Sequence, residues 1–553
     1  MRVTSAAAAL ALGAASVQAI SKITRQGRYL FDESGSRFFI KGVAYQEQGT
    51  VVQSADNSFG EPSTFIDPLS SGSACKRDVS YLQDLGVNTI RVYSVNSSVN
   101  HDDCMKTFSD AGIYTIIDLS LPLNGSIDRT SPSWSSNLLD QYITTIDVFA
   151  SYDNVLAYNV GNEVVIAVNS TVAAPFIKAA ARDTKAYLNS KDLDVMVGYA
   201  AIDGTPNWRD PLANYLTCDP NGEGSGDLSI DLYGLNNYEW CGDSTYEEAY
   251  AGTNADYAGL SVAAYFSEFG CVQSGQTRTW SEVAALYSDD MTAVWSGGLA
   301  FSYFPAESAD GQFGMVTVSD DGSSVSTSDD FDNLKEQYGN ASPSNSPSSG
   351  SDSYMNCFST NDTWLASNTL PPTPNDEQCE CLESNLSCQF TPATANYSTI
   401  VGELLNYACA TLGEQGASCD AIAADGGSGT YGLVSGCDAT IKLSYVMSLF
   451  YEANDNNAQA CSFNGNGTVN SQASSAASAA ASSCVSPSTF TPTAPANEPT
   501  SSGGSSSGGG GSSSGSSGSD ENGAANIWAD NRALAGMGAA FVVSVFSAVW
   551  TLV

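Results

Sequence analysis

The sequence predicts an α/β protein: a (β/α)8 TIM barrel followed by a small, disulfide-rich, mainly helical C-terminal module. Three observations carry that expectation. Between about Phe38 and Phe304, eight short apolar runs alternate with helix-sized stretches, the pattern of parallel strands joined by crossovers. Eight of the fourteen cysteines then crowd into positions 379–484, as in a small core stapled by disulfides. An open doubly wound sheet is the competing architecture, but the Gly-rich phosphate turn it would place after the first strand is missing.

The strand candidates, in order, are Ile40–Tyr45, Thr89–Tyr93, Tyr114–Leu119, Val155–Val160, Val195–Tyr199, Leu232–Asn236, Ala264–Phe269 and Leu299–Phe304. Between them, Cys75–Leu85 (apolar at Val79, Leu82 and Leu85) and Leu138–Ala150 have helical periodicity. Residues 1–19 read as a secretory signal peptide: Arg2, an Ala- and Leu-rich run, then Val17-Gln18-Ala19 at the cleavage site. The barrel then occupies 20–340, a Ser/Pro/Asn-rich linker 341–356 and the cysteine module 357–484. A Ser/Gly-rich stalk at 485–522 has too few apolar residues to fold. The last segment, 523–553, ends in an apolar stretch from Ala533 to Val553, with small residues at Asn522-Gly523-Ala524 upstream. This is the pattern of a glycosylphosphatidylinositol (GPI) signal, attached at Asn522 and removed on maturation. A single membrane-spanning helix is the alternative.

Sixty acidic against twenty basic residues give a net charge of −40, which excludes nucleic acid as a partner and suits an acidic extracellular space. Fourteen cysteines in a secreted chain predict seven disulfides rather than metal ligands. No metal is expected. The sole histidine, in Asn100-His101-Asp102-Asp103, reads as a solvated surface residue; one histidine argues against a Ser-His-Asp triad and a His-rich zinc site. Sequons begin at Asn96, Asn124, Asn169, Asn340, Asn361, Asn385, Asn396 and Asn466, as on a glycosylated surface protein.

Two acidic stretches carry the chemistry. Asn159-Val160-Gly161-Asn162-Glu163 and Tyr265-Phe266-Ser267-Glu268-Phe269-Gly270 each read as a strand ending in a glutamate. Strand four and strand seven of a parallel barrel would bring both carboxyls to its C-terminal mouth. Two carboxyls flanking a glycosidic bond cleave it, one protonating the leaving oxygen while the other attacks the anomeric carbon or activates water. A retaining pair stands about 5–5.5 Å apart. Asn162, just before the acid, can hydrogen-bond a sugar 2-hydroxyl. Two surface or salt-bridged glutamates are the bland alternative.

Gly42-Val43-Ala44-Tyr45-Gln46, Arg91-Val92-Tyr93-Ser94-Val95, Asp118-Leu119-Ser120, Gly161-Asn162-Glu163, Tyr238-Glu239-Trp240-Cys241-Gly242 and Ser267-Glu268-Phe269-Gly270-Cys271 resemble, in order and in register, the fungal cell-wall 1,3-β-glucanosyltransferases of glycoside hydrolase family 72. The resemblance implies that Glu163 is the acid/base and Glu268 the nucleophile. It implies a glucan cleft lined by Gln46, Tyr93, Asp118, the loop Ser120–Asp128, Asn162, Asp203, Arg209 and Tyr238. Phe301 aligns where relatives often carry tyrosine, keeping a stacking face without its hydroxyl. The implied pairings are Cys75–Cys104, Cys218–Cys357 and Cys241–Cys271. Cys379 to Cys484 resembles the glucan-binding module of carbohydrate-binding module family 43. The activity implied is cutting inside a β-1,3-glucan and joining the new reducing end to another chain's non-reducing end. No cofactor is needed; the partners are β-1,3-glucan as donor and acceptor and the outer face of the plasma membrane, reached through the GPI lipid, and the protein is expected to be a monomer. An endo-β-1,3-glucanase on the same scaffold, or a wall-binding protein with an inactive barrel, are the competing readings.

Overall fold

The computed structural model describes residues 20–50, 62, 64–122, 125–220, 226–273, 275–308, 311–392, 394 and 397–495. The segments expected to be a signal peptide (1–19) and an anchor signal with Asn522, most of the expected stalk, and the sequons at Asn124 and Asn396 lie outside the described residues.

Eight parallel strands close into a barrel: β1 (Ile40–Ala44), β2 (Thr89–Val92), β3 (Tyr114–Asp118), β4 (Val155–Asn162), β5 (Met196–Ile202), β6 (Leu232–Asn236), β7 (Ala263–Phe269) and β8 (Trp295–Ala300), with β8 pairing to β1. The first seven lie where the apolar runs place them. β8 does not: Leu299–Phe304 was expected, and the strand is Trp295–Ala300. Its glycines argue against a strand in the sequence, yet here they permit one. A Cβ on Gly297 would stand 2.1 Å from the Ile40 carbonyl oxygen, and the residue has φ +90°, so only glycine lets β8 approach β1 this closely. Beyond Ala300 the chain still donates to the barrel, from Phe301 N–H to the Phe269 carbonyl and from Tyr303 N–H to the Ala44 carbonyl, and also bonds to the 313–316 segment.

The crossovers include α1 (Gly72–Leu85), α2 (Asp102–Asp110), α3 (Ser136–Phe149), α4 (Ala174–Ser190) and α5 (Pro206–Thr217). Shorter pieces follow: α6 (Tyr246–Ala249), α7 (Ala251–Tyr257), α8 (Glu282–Leu286), α9 (Asp289–Thr292) and the longer α10 (Asp329–Asn340). The α1 pattern works as its periodicity requires: Cys75, Leu82 and Leu85 are buried, Ser71 caps the N-terminus and Gly86, at φ +74°, ends the helix. Inside the barrel's lower end, Ile40, Ile116, Leu156, Leu232 and Leu299 pack together, and the N-terminal hairpin (Thr24–Gln26 with Tyr29–Phe31) adds Leu30 beneath them. That plug leaves the opposite, C-terminal end of the strands for chemistry.

The expectation for His101 is corrected. Its ring is 1% exposed, stands 4.5 Å from that of Phe149 and meets Asp67 Oδ2 through Nε2 at 2.8 Å. Polar flanks suggested solvent, but α2 begins one residue later and turns the ring inward.

The C-terminal module is built from α11 (Asp376–Asn385), α12 (Ser398–Glu414), α13 (Ala439–Ala453) and α14 (Ala477–Cys484). Leu382, Val401, Leu405, Ile441 and Val446 form its core. Four disulfides cross it: Cys379–Cys437, Cys381–Cys484, Cys388–Cys461 and Cys409–Cys419. In the preceding region the pairs are Cys75–Cys104, Cys218–Cys357 and Cys241–Cys271. The module sits against the α3–α5 flank. Trp364 is buried against Tyr215 at 5.3 Å, Arg182 donates to the Pro371 carbonyl at 2.9 Å, and Phe176 meets Tyr431 edge-on.

Candidate active site

Glu163 and Glu268 stand at the C-terminal ends of β4 and β7. Both follow breaks in strand register: β4 shifts against β5 between Asn159 and Asn162, and β7 shifts against β6 before Glu268. Such irregularities re-aim side chains at a barrel rim. Glu163 itself has φ 49°, an uncommon conformation for a residue with a Cβ and a mark of local strain at a functional position.

One guanidinium organises the mouth. Arg91 on β2 is 0% exposed. Its Nε and Nη2 donate to the two Asp118 oxygens at 3.2 and 2.7 Å, the bidentate geometry that best offsets burial of a charge pair. Nη1 reaches Glu268 Oε1 at 3.2 Å, and Nη2 also reaches Asn162 Oδ1 at 2.8 Å. Asn159 Nδ2 donates to Asp118 Oδ1 at 2.7 Å, so the acid that balances Arg91 is itself held in place.

Glu268 therefore accepts from a cation and from two hydroxyls: Tyr93 at 2.8 Å on Oε1 and Tyr238 at 2.8 Å on Oε2. Burial raises it to about 7, against the pull of Arg91, with repulsion from Glu163 adding to the rise and the two tyrosines opposing it. Glu163 Oε1 accepts from the neutral amide of Asn236 at 2.7 Å. Asn162 Oδ1 takes bonds from Arg91 and from Asn236 at 3.2 Å. That orients the Asn162 amide so that its NH2 is the group offered to a ligand.

Aromatic rings flank Glu268. Phe301 meets Tyr93 edge-on at 6.3 Å and Phe313 at 5.3 Å, while Phe313 meets Tyr238 at 5.9 Å. Tyr93, Tyr238 and Phe301 stay partly exposed in this cluster, while Phe313 is buried behind them.

Other anticipated residues take different places. Gln46 braces a loop: its oxygen accepts from the Tyr93 and Ser94 backbone, both at 3.1 Å, and its nitrogen donates to the Ile66 carbonyl at 2.6 Å. Asp128 closes its own turn by accepting from Thr130 and Ser131, and Ser120 is half-buried just past β3. Arg209, itself buried, lies in a separate ion-pair network with the half-buried Asp203 and Asp210 and the exposed Asp256. There burial raises Asp203 to about 6, with Glu239 adding to the rise and Arg209 opposing it. Arg91, Asn236 and Phe313 were given no role from the sequence. A charge inside the apolar run Thr89-Ile90-Arg91-Val92 is the signal for the first, because a buried charge must be paired.

Comparison with known proteins agrees with this geometry. The sequence profile of the glucanosyltransferases of glycoside hydrolase family 72 matches residues 12–342, and that of the X8 domain matches 386–468. The 1,3-beta-glucanosyltransferase gas1 of Schizosaccharomyces pombe is 42% identical over 462 residues, 82% of this chain and 80% of that protein. The 1,3-beta-glucanosyltransferase GAS2 of Saccharomyces cerevisiae is 36% identical over 453 residues, 79% of this chain and 78% of that protein. A solved structure of Saccharomyces cerevisiae Gas2p in complex with laminaritetraose and laminaripentaose superposes with a TM-score of 0.72 at 35% identity, covering 85% of this chain and 99% of that one. With a closed eight-stranded barrel, paired glutamates at two strand ends and these matches together, the chain belongs to the glucanosyltransferases of glycoside hydrolase family 72 and carries an X8 domain behind its barrel.

Proposed function

We propose that this protein is a retaining 1,3-β-glucanosyltransferase in which Glu163 is the acid/base and Glu268 the nucleophile. The observation that carries the assignment is the donor set around Glu268. Glu268 accepts from Arg91 and two tyrosine hydroxyls, all of which favour its ionised form. Glu163, whose Oε1 accepts from the Asn236 amide, faces it across the barrel mouth as the acid/base partner.

In the first half-reaction Glu163 gives its proton to the glycosidic oxygen as Glu268 attacks the anomeric carbon. The reducing-end fragment leaves, and a glycosyl ester forms on Glu268. In the second, Glu163 takes the proton from a hydroxyl of an incoming glucan; that oxygen attacks the anomeric carbon and Glu268 departs as carboxylate. Asn162 donates to the 2-hydroxyl, a contact that strengthens as positive charge grows on the ring. Tyr93, Tyr238, Phe301 and Phe313 wall the site and limit competing water.

The substrate is a β-1,3-glucan, cut internally and rejoined through its new reducing end to the non-reducing end of another chain. The carbohydrate complex of the Gas2p relative supports that class. We divide the chain into a barrel (20–340), a linker (341–356), a glucan-binding module (357–484) and a stalk (485–522), with removal of 1–19 and 523–553. The mature protein acts as a monomer on the outer face of the plasma membrane, anchored through Asn522. The sequence pattern of the C-terminal segment supports the anchor.

The test is product analysis after incubation with a reduced β-1,3-gluco-oligosaccharide, with Glu268→Gln as control. Products longer than the starting sugar, absent with the variant, are expected. Shorter products alone would make the protein an endo-glucanase, and no products would leave it a wall-binding protein.

A further inference from the structure

The aromatic wall beside Glu268 is assembled from separate backbones. Phe301 follows β8, Phe313 lies on the segment beyond it, and Gly270 follows β7. One side chain joins all three. Arg278, on the loop after β7, is buried and donates through Nη1 to the carbonyls of Phe301 at 2.6 Å and Gly270 at 3.2 Å. Its Nη2 donates to the Phe313 carbonyl at 2.6 Å. Nε and the backbone N–H of Arg278 both bind Asp330 on α10, at 2.7 and 2.8 Å. Below, the guanidinium lies 4.2 Å from the Trp280 ring centroid. Gly270, at φ +112°, leaves room for that indole: a Cβ there would come within 2.3 Å of it.

We propose that Arg278 is a positioning residue that sets the spacing of Phe301 and Phe313, and through them the face against which the sugar bonded to Glu268 stacks. The inference rests on the glycosyltransfer reading above. Three facts make the role specific. The carbonyls it holds belong to the two residues whose rings form the wall, so a shift of either backbone moves a ring. The wall is on the nucleophile's side, because Tyr93 and Tyr238, which its rings touch, both donate to Glu268. A planar fork can bridge three carbonyls and a carboxylate while stacking on an indole, and an ammonium cannot.

The test is a double-mutant cycle on the full secreted chain with a reduced β-1,3-gluco-oligosaccharide as donor. It uses Arg278→Gln, Phe301→Ala, their combination and Arg278→Lys, with Glu268→Gln alongside. We expect Arg278→Gln to lower kcat/KM about 30-fold, as sub-ångström to 1 Å misplacement does in such sites. Arg278→Lys should not restore it. Adding Phe301→Ala to Arg278→Gln should cost less than about 3-fold more, since residues acting through one element do not add. The pH profile should keep its limbs, because Arg278 does not touch either glutamate. Additive losses, rescue by lysine, displaced pH limbs or unchanged kcat/KM would each overturn the proposal. Should Arg278→Gln fail to fold, Asp330→Asn loosens the same fork, and an effect additive with Phe301→Ala would be equally contrary. Retained transfer in Glu268→Gln would instead refute the catalytic assignment, leaving the cycle to be read on its own.

Discussion

The barrel mouth and the cysteine module solve opposite problems. At the mouth, a fully buried arginine and two nearly buried carboxylates, Asp118 and Glu268, are held among polar partners. The surrounding core, which runs from Val43 and Ile90 through Phe176 to Phe266, is large enough to carry that cost. The module encloses a small core and is crossed by four disulfides, one of them closing only ten residues. A large fold can hold strained and charged groups for chemistry, whereas a small one needs covalent closure merely to stay folded. Substitutions should therefore separate the two regions: loss of a reacting carboxyl at the mouth changes catalysis alone, loss of the buried cation that holds it also changes stability, and loss of a module disulfide changes stability.

The largest effect is expected for Glu268→Gln, which should reduce transfer by at least about 10³-fold while leaving the melting temperature unchanged or raised. A loss of activity accompanied by unfolding would break the distinction. Arg91→Met comes next. It leaves Asp118 buried without its cation, and a stability loss of about 3–5 kcal/mol is expected in urea unfolding. In the module, Cys379→Ser with Cys437→Ser should cost about 2–5 kcal/mol, seen as a low-temperature transition, with kcat on short oligosaccharides near wild type at 25 °C. Lost activity there would show that contacts such as Trp364 on Tyr215 carry the module's condition into the barrel.

Smaller effects sharpen the comparison through pH. Tyr93 and Tyr238 each hold the Glu268 pKa down. Removing either hydroxyl with phenylalanine should raise it, so that the acid limb of the activity profile moves to higher pH. An unmoved limb would mean that the nucleophile does not govern it. The smallest expected effect concerns Glu282, buried behind the mouth and raised by that burial to about 7, with Arg278 opposing. From the unperturbed carboxylate range up to about 7 the native state keeps this proton after the unfolded chain has lost it. Stability accordingly falls as pH rises through that window. Glu282→Gln should raise the melting temperature at pH 8 by about 2–4 °C and change little at pH 4.

Much of the architecture was legible because strands and crossovers leave periodic signals. The first seven strands and the disulfide-rich module follow from apolar spacing and cysteine density. The eighth strand begins at Trp295, ahead of the apolar run Leu299–Phe304, and its Gly297 and Gly298 pack closely against β1 and β7. His101 misled because its neighbours in sequence are polar and its neighbours in space, Phe149 and Asp67, lie far along the chain. The hub was harder still. Arg91, Asn236 and Phe313 come from β2, β6 and the segment past β8, and their pairing exists only once the barrel has closed.

Trapping the covalent intermediate would identify the nucleophile. A β-1,3-gluco-oligosaccharyl fluoride needs no acid to depart, so Glu163→Gln should form the glycosyl-enzyme yet deglycosylate slowly for want of a base. Mass spectrometry after digestion should then find the added sugar on the peptide containing Glu268. A label on any other residue, or none at all with a donor that the wild-type enzyme consumes, would contradict the account.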